Sequence, residues 1–285
     1  MDEELDLNDA YVEKKEQIKN RRGRGKKEDE EVITIKEFDI TSMPPHSAND
    51  IGKGVKVVVL GKAGTGKSTL IQDICASKAH LISCAQIFSG TEDSNQAYSS
   101  KFPPCCTYNK LDLQAMENFV TRQKIAKDWI PNNVWALQLV DDCADDTSVL
   151  KRPIFQSIFK NGRHWNMIFI LSLQYCMDIL PSIRSNIDYT FILRESIQKN
   201  RKSLWENYAG IIPSFQMFEE IMNTITEDFT ALVINNKSTS NKLEDCVFWY
   251  KAKPDRLPEG FKFCHPVAWE FNNERLDTGA QLSYI

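Results

Sequence analysis

The residues with the clearest chemistry form a glycine-rich stretch that ends in a lysine and a serine. The sequence GKAGTGKS at positions 61–68 follows the spacing G-x4-G-K-[ST], between an apolar run ending at Leu60 and a helical pattern starting near Ser68. Glycines let several backbone N–H groups converge on one anion, and the dipole of the following helix adds to the attraction. The stretch therefore predicts a loop that binds the phosphates of a nucleotide; the alternative is a glycine-rich turn without a ligand.

The side chains of this loop have separate expected roles toward a nucleoside triphosphate. Lys67 should reach the β and γ phosphates, and the Ser68 hydroxyl should hold Mg²⁺. The residues expected to contact the nucleotide are Gly61, Gly64, Thr65, Gly66, Lys67, Ser68 and Thr69.

Two adjacent carboxylates follow the apolar run from Val134 to Val140. A nucleotide loop needs an acidic group for its metal at the end of a neighbouring strand, and we expect Asp141 to order the Mg²⁺ shell. Asp142 is placed to orient or deprotonate the attacking water. The alternative is that these aspartates only end a strand at a turn.

A polar amide follows the next predicted strand, which ends at Leu173. Because we expect this strand to lie beside the Asp141 strand, Gln174 could sense the γ phosphate and hold the attacking water. An equal alternative is a surface turn residue.

A second short pattern bears on the choice of nucleotide. The stretch NKLD at 109–112 matches the guanine-reading N-K-x-D, but it precedes the Asp141 strand and follows no apolar strand. No D-x-x-G lies between it and the phosphate loop, and four-residue matches arise easily by chance. We therefore expect ATP rather than GTP.

These residues need a sheet whose strands end at one edge. Apolar runs at 56–60, 81–88, 134–140, 166–173 and 189–193 alternate with helical patterns near 68–77, 111–129, 153–161, 197–208 and 214–225, and further runs follow at 229–234 and 247–250. Continuous apolar strands separated by helices are typical of a mostly parallel sheet covered on both faces. The predicted fold class is α/β.

Composition divides the 285 residues into four segments. Residues 1–31 hold 11 acidic and 8 basic residues with few apolar positions, which predicts a disordered charged tail. We expect a strand and linker at 32–54, the nucleotide-binding domain at 55–250 and a C-terminal extension at 251–285. The basic run at 21–27 fits a nuclear address or a DNA-touching arm as well as a solvated tail.

Charge, cysteine content and hydropathy exclude several classes of protein. A net charge of −4 argues against a protein that coats DNA by bulk charge, so any nucleic-acid contact must be local. The 8 cysteines and 4 histidines contain no C-x2-C or H-x3-H pair, so we expect no zinc site. The acidic N-terminus is unlike a signal peptide, and no apolar run reaches the ~18 residues that span a bilayer. We expect a protein that is neither secreted nor itself transmembrane.

Taken together, the motifs resemble the poxvirus-type DNA-packaging ATPases of nucleocytoplasmic large DNA viruses, within the FtsK/HerA branch of P-loop ATPases. The resemblance covers about residues 53–250 and rests on four stretches: GKAGTGKS (Walker A), LVDD (Walker B), NGRH at 161–164 before the strand ending in Gln174, and LPSIRSNIDY at 180–189. It implies a RecA-like core, ATP and Mg²⁺ as ligands, and a homo-oligomeric ring that threads double-stranded DNA into a capsid.

The resemblance also implies partners, a location and residue roles. Capsid or inner-membrane-associated virion proteins are possible partners, and the protein would act in the virus factory of the host cytoplasm or in the virion, with the nucleus as an alternative suggested by residues 21–27. Lys67 and Ser68 carry over as phosphate and Mg²⁺ ligands, Asp141 and Asp142 as the Walker B pair, and Gln174 as the sensor. Many relatives outside the viral group have glutamate where Asp142 stands.

An arginine is expected to meet the charge that develops on the γ phosphoryl group. The resemblance favours Arg184 as a finger that acts across the ring interface. The alternative is a surface arginine paired with Asp188, four residues on. Arg194, at the end of the following strand, and Arg163, before the sensor strand, are the other candidates.

Three functions remain open. The first is a packaging ATPase that translocates DNA, the second a small-substrate P-loop kinase, and the third a nucleotide-binding assembly protein without motor activity. A kinase should carry an arginine-rich lid and an acceptor pocket, and neither is evident in the sequence. DNA-stimulated ATP hydrolysis would separate the first function from the other two.

Overall fold

The computed structural model describes residues 18–19, 32–130, 134–143, 147–175 and 179–270. The strands are β1 (Ile18–Lys19), β2 (Val32–Ile33), β3 (Lys36–Glu37), β4 (Val55–Leu60), β5 (Cys84–Ser89), β6 (Thr107–Tyr108), β7 (Ala136–Asp141), β8 (Met167–Leu173), β9 (Tyr189–Ile192), β10 (Thr230–Asn235) and β11 (Val247–Lys251). The helices are α1 (Lys67–Ser77), α2 (Glu92–Asn95), α3 (Leu113–Trp129), α4 (Pro153–Asn161), α5 (Pro181–Arg184), α6 (Gln198–Tyr208) and α7 (Phe215–Ile225). The long elements predicted from 56 to 250 are present, with ends shifted by a few residues.

Nine strands form one sheet in the order β3-β11-β10-β9-β4-β8-β7-β5-β6. Every neighbouring pair from β9 to β6 is parallel, whereas β10 runs antiparallel to both β9 and β11. Strands β4 and β8 are buried along their whole length, as expected for parallel strands covered on both faces. The predicted mostly parallel α/β fold is confirmed.

Helices cover both faces of this sheet. On one face, Leu70 and Ile74 of α1 pack in a core with Val57 and Val59 of β4. On the other face, α3, α4, α6 and α7 bury apolar side chains in a second core that includes Val58. Alternate residues of β4 therefore enter different cores, which holds the strand before the phosphate loop in place.

The strand that ends in Asp141 lies beside β8, as predicted for the strand before Gln174, and is not an immediate neighbour of β4. Strand β8 lies between them, and its register aligns Val59, Ser172 and Asp141 across the three strands. Because the intervening residue is a serine with a small side chain, a side chain from the loop can reach across β8 to the carboxylates.

Described residues on both sides of 55–250 add to this domain. The predicted tail at 1–31 lies outside the described residues except for β1, which pairs antiparallel with β2. In the segment at 32–54, Phe38 and Met43 are buried in the α1-side core, and β3 extends the sheet as a parallel neighbour of β11. In the C-terminal segment, Phe263 stacks on Phe102 with ring centroids 4.4 Å apart. Over the part of the chain that is described, no helix combines the length and hydropathy needed to cross a membrane.

Candidate active site

The glycine-rich loop leaves β4 and enters α1. Gly64 and Gly66 have φ values of 77° and 93°, in the left-handed region that favours glycine. The Gly61 N–H donates to the Leu173 carbonyl at 3.1 Å, and the Thr65 hydroxyl donates to the Lys62 carbonyl at 2.7 Å. These bonds fix the loop on β8 and place Gly66 as the N-cap of α1.

The loop lysine and the second aspartate form an ion pair. Lys67 Nζ lies 2.6 Å from Asp142 Oδ1, and the Lys67 side chain is 5% exposed. Asp142 has φ +48°, a left-handed conformation that is uncommon outside glycine and is found at functional sites. A buried ammonium needs a negative partner, and Asp142 is that partner in this structure. The two residues predicted to act on the γ phosphate are therefore brought together.

The first aspartate lies deeper, below the loop. Asp141 is 3% exposed, and its Oδ2 accepts a hydrogen bond from the Tyr98 hydroxyl at 2.8 Å. Burial raises the pKa of Asp141, and the neighbouring Asp142 carboxylate adds to this rise; the hydroxyls of Ser172 and Tyr98 and the Lys67 ammonium oppose it. The environment of Asp141 thus favours its charged form less than water does.

Tyr98 is a site residue that sequence reasoning missed. Its ring is fully buried, and its pKa is raised well above the usual value by burial and by the Asp141 carboxylate, whereas the Ser68 hydroxyl lowers it. Tyr98 therefore stays protonated and donates to Asp141, and Ser68 lies near the same hydroxyl. The stretch around Tyr98 matches no motif, so no sequence signal marked it.

The residues predicted to hold Mg²⁺ fit that ion. Asp141 Oδ1 is buried and has no hydrogen-bond partner among the described residues. Ser68 and Asp141 both approach the Tyr98 hydroxyl from different elements. An unpartnered carboxylate oxygen and a serine hydroxyl are the hard oxygen ligands that Mg²⁺ prefers.

Gln174 follows β8 directly and is exposed. Since β8 lies between β4 and β7, Gln174 at its end lies between the strand ends that carry the phosphate loop and the Asp pair. It borders a cleft together with Gly61 and Glu195. The position agrees with the sensor prediction, and the role itself stays a prediction.

Glu195 is a second residue that the sequence did not mark. Its carboxylate lies 2.6 Å from Lys62 Nζ of the loop and accepts from the Ile197 N–H at 2.8 Å and from Asn200 Nδ2 at 3.0 Å. Burial alone would raise the pKa of Glu195, but Lys62 and the two N–H donors outweigh burial and lower that pKa. Glu195 thus connects the loop to the start of α6 as a charged group.

The three candidate arginines lie at two edges of the sheet. Arg194 is exposed at the loop edge, just after Leu193, whose N–H donates to the Leu60 carbonyl at 2.8 Å. Arg184 and Arg163 precede β9 and β8, at the edge where the parallel strands begin. The structure therefore does not bring Arg184 to the loop of its own chain.

Arg184 does not use Asp188 as its partner. Its Nη1 donates to the Ile179 carbonyl at 3.2 Å, and its guanidinium lies 5.9 Å from the centroid of the Tyr208 ring. The Asp188 carboxylate instead accepts from the Lys56 N–H at 2.8 Å and lies 3.4 Å from Lys56 Nζ. The alternative of an Arg184–Asp188 pair is wrong because Lys56, at the start of β4, takes this carboxylate.

Two viral proteins are similar to the chain over most of its length. Protein 088R of invertebrate iridescent virus 3 is 46% identical over 240 residues, which cover 83% of this chain and 92% of that protein. Protein 075L of invertebrate iridescent virus 6 is 42% identical over 251 residues, 87% of this chain and 96% of that protein. The chain belongs to the family of these iridescent-virus proteins. Both relatives are described only as uncharacterized, and no family model matches the chain.

Solved structures show the fold of this family. The genome packaging NTPase B204 from Sulfolobus turreted icosahedral virus 2, in complex with AMP, has a TM-score of 0.51 and 14% identity over 70% of this chain and 98% of that chain. The AMPPCP complex of B204 has a TM-score of 0.50, with the same identity and coverage. At such identity the likeness concerns the fold. The chain has the fold of these NTPase structures, as expected from the resemblance drawn from the motifs.

Proposed function

We propose that this protein is an ATP-driven motor that translocates double-stranded viral DNA into the capsid during virion assembly. The observation that carries the proposal is the meeting of Lys67, Ser68, Asp141 and Asp142 at one edge of the sheet. These four groups come from two distant parts of the sequence. Their arrangement supports hydrolysis as well as binding of a nucleoside triphosphate.

The geometry gives each residue a task in ATP hydrolysis. The γ phosphate of ATP competes with Asp142 for the Lys67 ammonium, which lies 2.6 Å from Asp142 in this structure. Once released, the Asp142 carboxylate can accept a proton from the attacking water, and the Gln174 amide can orient that water. Ser68 and Asp141 are the residues that would hold Mg²⁺, which neutralises phosphate charge when it is bound.

The family of the chain supports the proposed motor, and the positions of Arg184 and Arg194 support the proposed ring. The family occurs in large DNA viruses, and its fold is that of a viral genome packaging NTPase. A finger that acts on the next protomer does not have to lie near the loop of its own chain, and Arg184 lies at the opposite edge of the sheet. Arg194, at the loop edge, suits a role within its own chain. We place the motor at the virus factory or in the virion, with capsid or inner-membrane-associated proteins as candidate partners.

Phosphate release from ATP tests the hydrolytic part of the proposal. We expect Mg²⁺-dependent release of inorganic phosphate without an added acceptor by the wild type, and none above background by Lys67→Ala. Lys160→Ala, which changes an exposed lysine on α4, is the matched control and should keep wild-type turnover. ATP binding without phosphate release would favour the assembly protein, and turnover that requires a small acceptor would favour the kinase.

A further inference from the structure

An exposed aromatic side chain lies against the phosphate loop. Phe229 is 65% exposed, although it directly precedes the buried strand β10. A Cβ placed on Gly66 would lie 3.2 Å from Cδ1 and 3.4 Å from Cβ of Phe229. The ring therefore lies close beside the N-cap of α1, in the space that a larger residue at Gly66 would need, while much of its surface faces solvent.

The turn before β10 holds this ring outside the core. Asp228 and Phe229 have φ values of 50° and 60°, and the Thr230 N–H donates to the Glu227 carbonyl at 2.9 Å. Two consecutive non-glycine residues in the left-handed region are unfavourable, and such strain persists where the surrounding structure imposes it. The Phe229 ring therefore lies beside the loop and contributes little buried apolar area to the core.

A groove lies along α1, and its lining begins at Thr69, three residues after Gly66. One wall is the helix face formed by Thr69, Asp73 and Ala76, and the other wall is the segment from Lys253 to Phe261. Gly66 and Thr69 are three residues apart, so they share this face of the helix. The groove encloses about 520 Å³, within the ~300–1,000 Å³ of small-molecule sites.

The sheet places Phe229 at the same edge as Lys253, which lines this groove. Strand β10 pairs with β11 so that Thr230 lies opposite Lys251. Phe229 and the residues that follow Lys251 therefore leave the sheet at the loop edge, next to the first turns of α1. The Lys253 N–H donates to Asp73 Oδ2 at 2.8 Å, which fixes the second wall to the helix.

We propose that this groove receives the nucleoside part of the nucleotide and that Phe229 stacks on its base. The inference rests on the proposed function, because the phosphates must lie in the loop. From the loop, the bound nucleoside would extend along the first turn of α1, past Thr69 and Phe229. Any base can stack on the ring, since every base has a π face, and the larger purines gain the most contact.

Comparison of ATP with inorganic tripolyphosphate tests the inference, because tripolyphosphate has no base. With Mg²⁺ present, we expect Phe229→Ala to bind ATP about 5- to 150-fold more weakly than the wild type, the range typical of loss of one base stack, and to bind tripolyphosphate unchanged. Phe229→Trp should keep ATP affinity, and its added fluorescence should respond to ATP but not to tripolyphosphate. Trp129→Ala, at an 81% exposed aromatic on α3, is the control and should change neither affinity.

Calorimetric titrations give outcomes that separate the two proposals. Wild-type affinity of Phe229→Ala for ATP would overturn the stacking role. Equal weakening for ATP and tripolyphosphate would also overturn it, because Phe229 would then act on the loop. A wild-type protein that binds neither ligand would overturn the proposed function together with this inference.

Discussion

Replacement of Asp141 by asparagine should stabilise the nucleotide-free protein while it removes Mg²⁺-dependent ATP hydrolysis. Asp141 is 3% exposed, and its Oδ1 is buried without a hydrogen-bond partner among the described residues. Burial raises the pKa of Asp141, so folding is less favourable with this group charged than with it neutral. An asparagine keeps the acceptor for Tyr98 and carries no charge.

The size of the effect follows from the unpartnered oxygen. A buried acceptor without a partner costs about 1–3 kcal/mol. The asparagine amide would lie level with Ser89 and Ser172 on the two neighbouring strands, whose buried hydroxyls can accept from it. We therefore expect a gain of about 1–2 kcal/mol in the free energy of unfolding, or roughly 2–8 °C in melting temperature.

Thermal unfolding in EDTA without nucleotide, over a range of pH, measures this gain. The pKa of Asp141 in the folded protein lies above its ordinary value of 3.8. At a pH between these two pKa values, the folded wild type therefore keeps a proton on Asp141 that the unfolded chain has released. The advantage of Asp141→Asn should be full above the folded-state pKa, shrink as pH falls through it and vanish below 3.8. A variant that is less stable than the wild type at neutral pH would refute the reasoning.

Three further predictions concern turnover and assembly. Asp142→Asn should bind ATP at least as tightly as the wild type, because no ion pair with Lys67 has to be broken, but it should hydrolyse ATP about 10²- to 10⁴-fold more slowly. Loss of ATP binding in an equilibrium titration would mean that the Asp pair is misassigned. If Arg184 acts across a ring interface, mixing inactive Arg184→Ala with inactive Lys67→Ala subunits should restore part of the ATPase rate, whereas wild-type turnover of Arg184→Ala alone with DNA present would remove Arg184 from the site. Deletion of residues 1–31 should leave the ATPase rate unchanged and weaken duplex DNA binding at low salt; a deletion variant that is unfolded by circular dichroism would contradict the tail prediction.

The phosphate loop and the elements around it could be predicted because their signals are local. The glycine spacing before Lys67 and the apolar runs before Gly61 and Asp141 are contained in short stretches of sequence, and the structure has a loop, a helix and strand ends at these places. The order of strands could not be predicted in the same way. Insertion of β8 between β4 and β7 depends on contacts between distant residues, which no short pattern encodes.

The supporting residues were missed for two different reasons. Tyr98 and Glu195 belong to no motif, and only the folded chain brings them to Asp141 and Lys62. Phe229 was included in a predicted strand because it continues an apolar run. Because Asp228 and Phe229 form a turn, β10 begins one residue later than predicted, and the Phe229 ring stays exposed.

DNA-stimulated ATP turnover is the measurement that tests the proposed motor most directly. The steady-state rate of phosphate release would be measured with and without linear double-stranded DNA, for the wild type and for Lys67→Ala. We expect that DNA raises the wild-type rate, that added salt reduces this stimulation, and that Lys67→Ala stays inactive throughout. A wild-type rate that is the same with and without DNA at low salt would contradict a DNA-translocating ATPase.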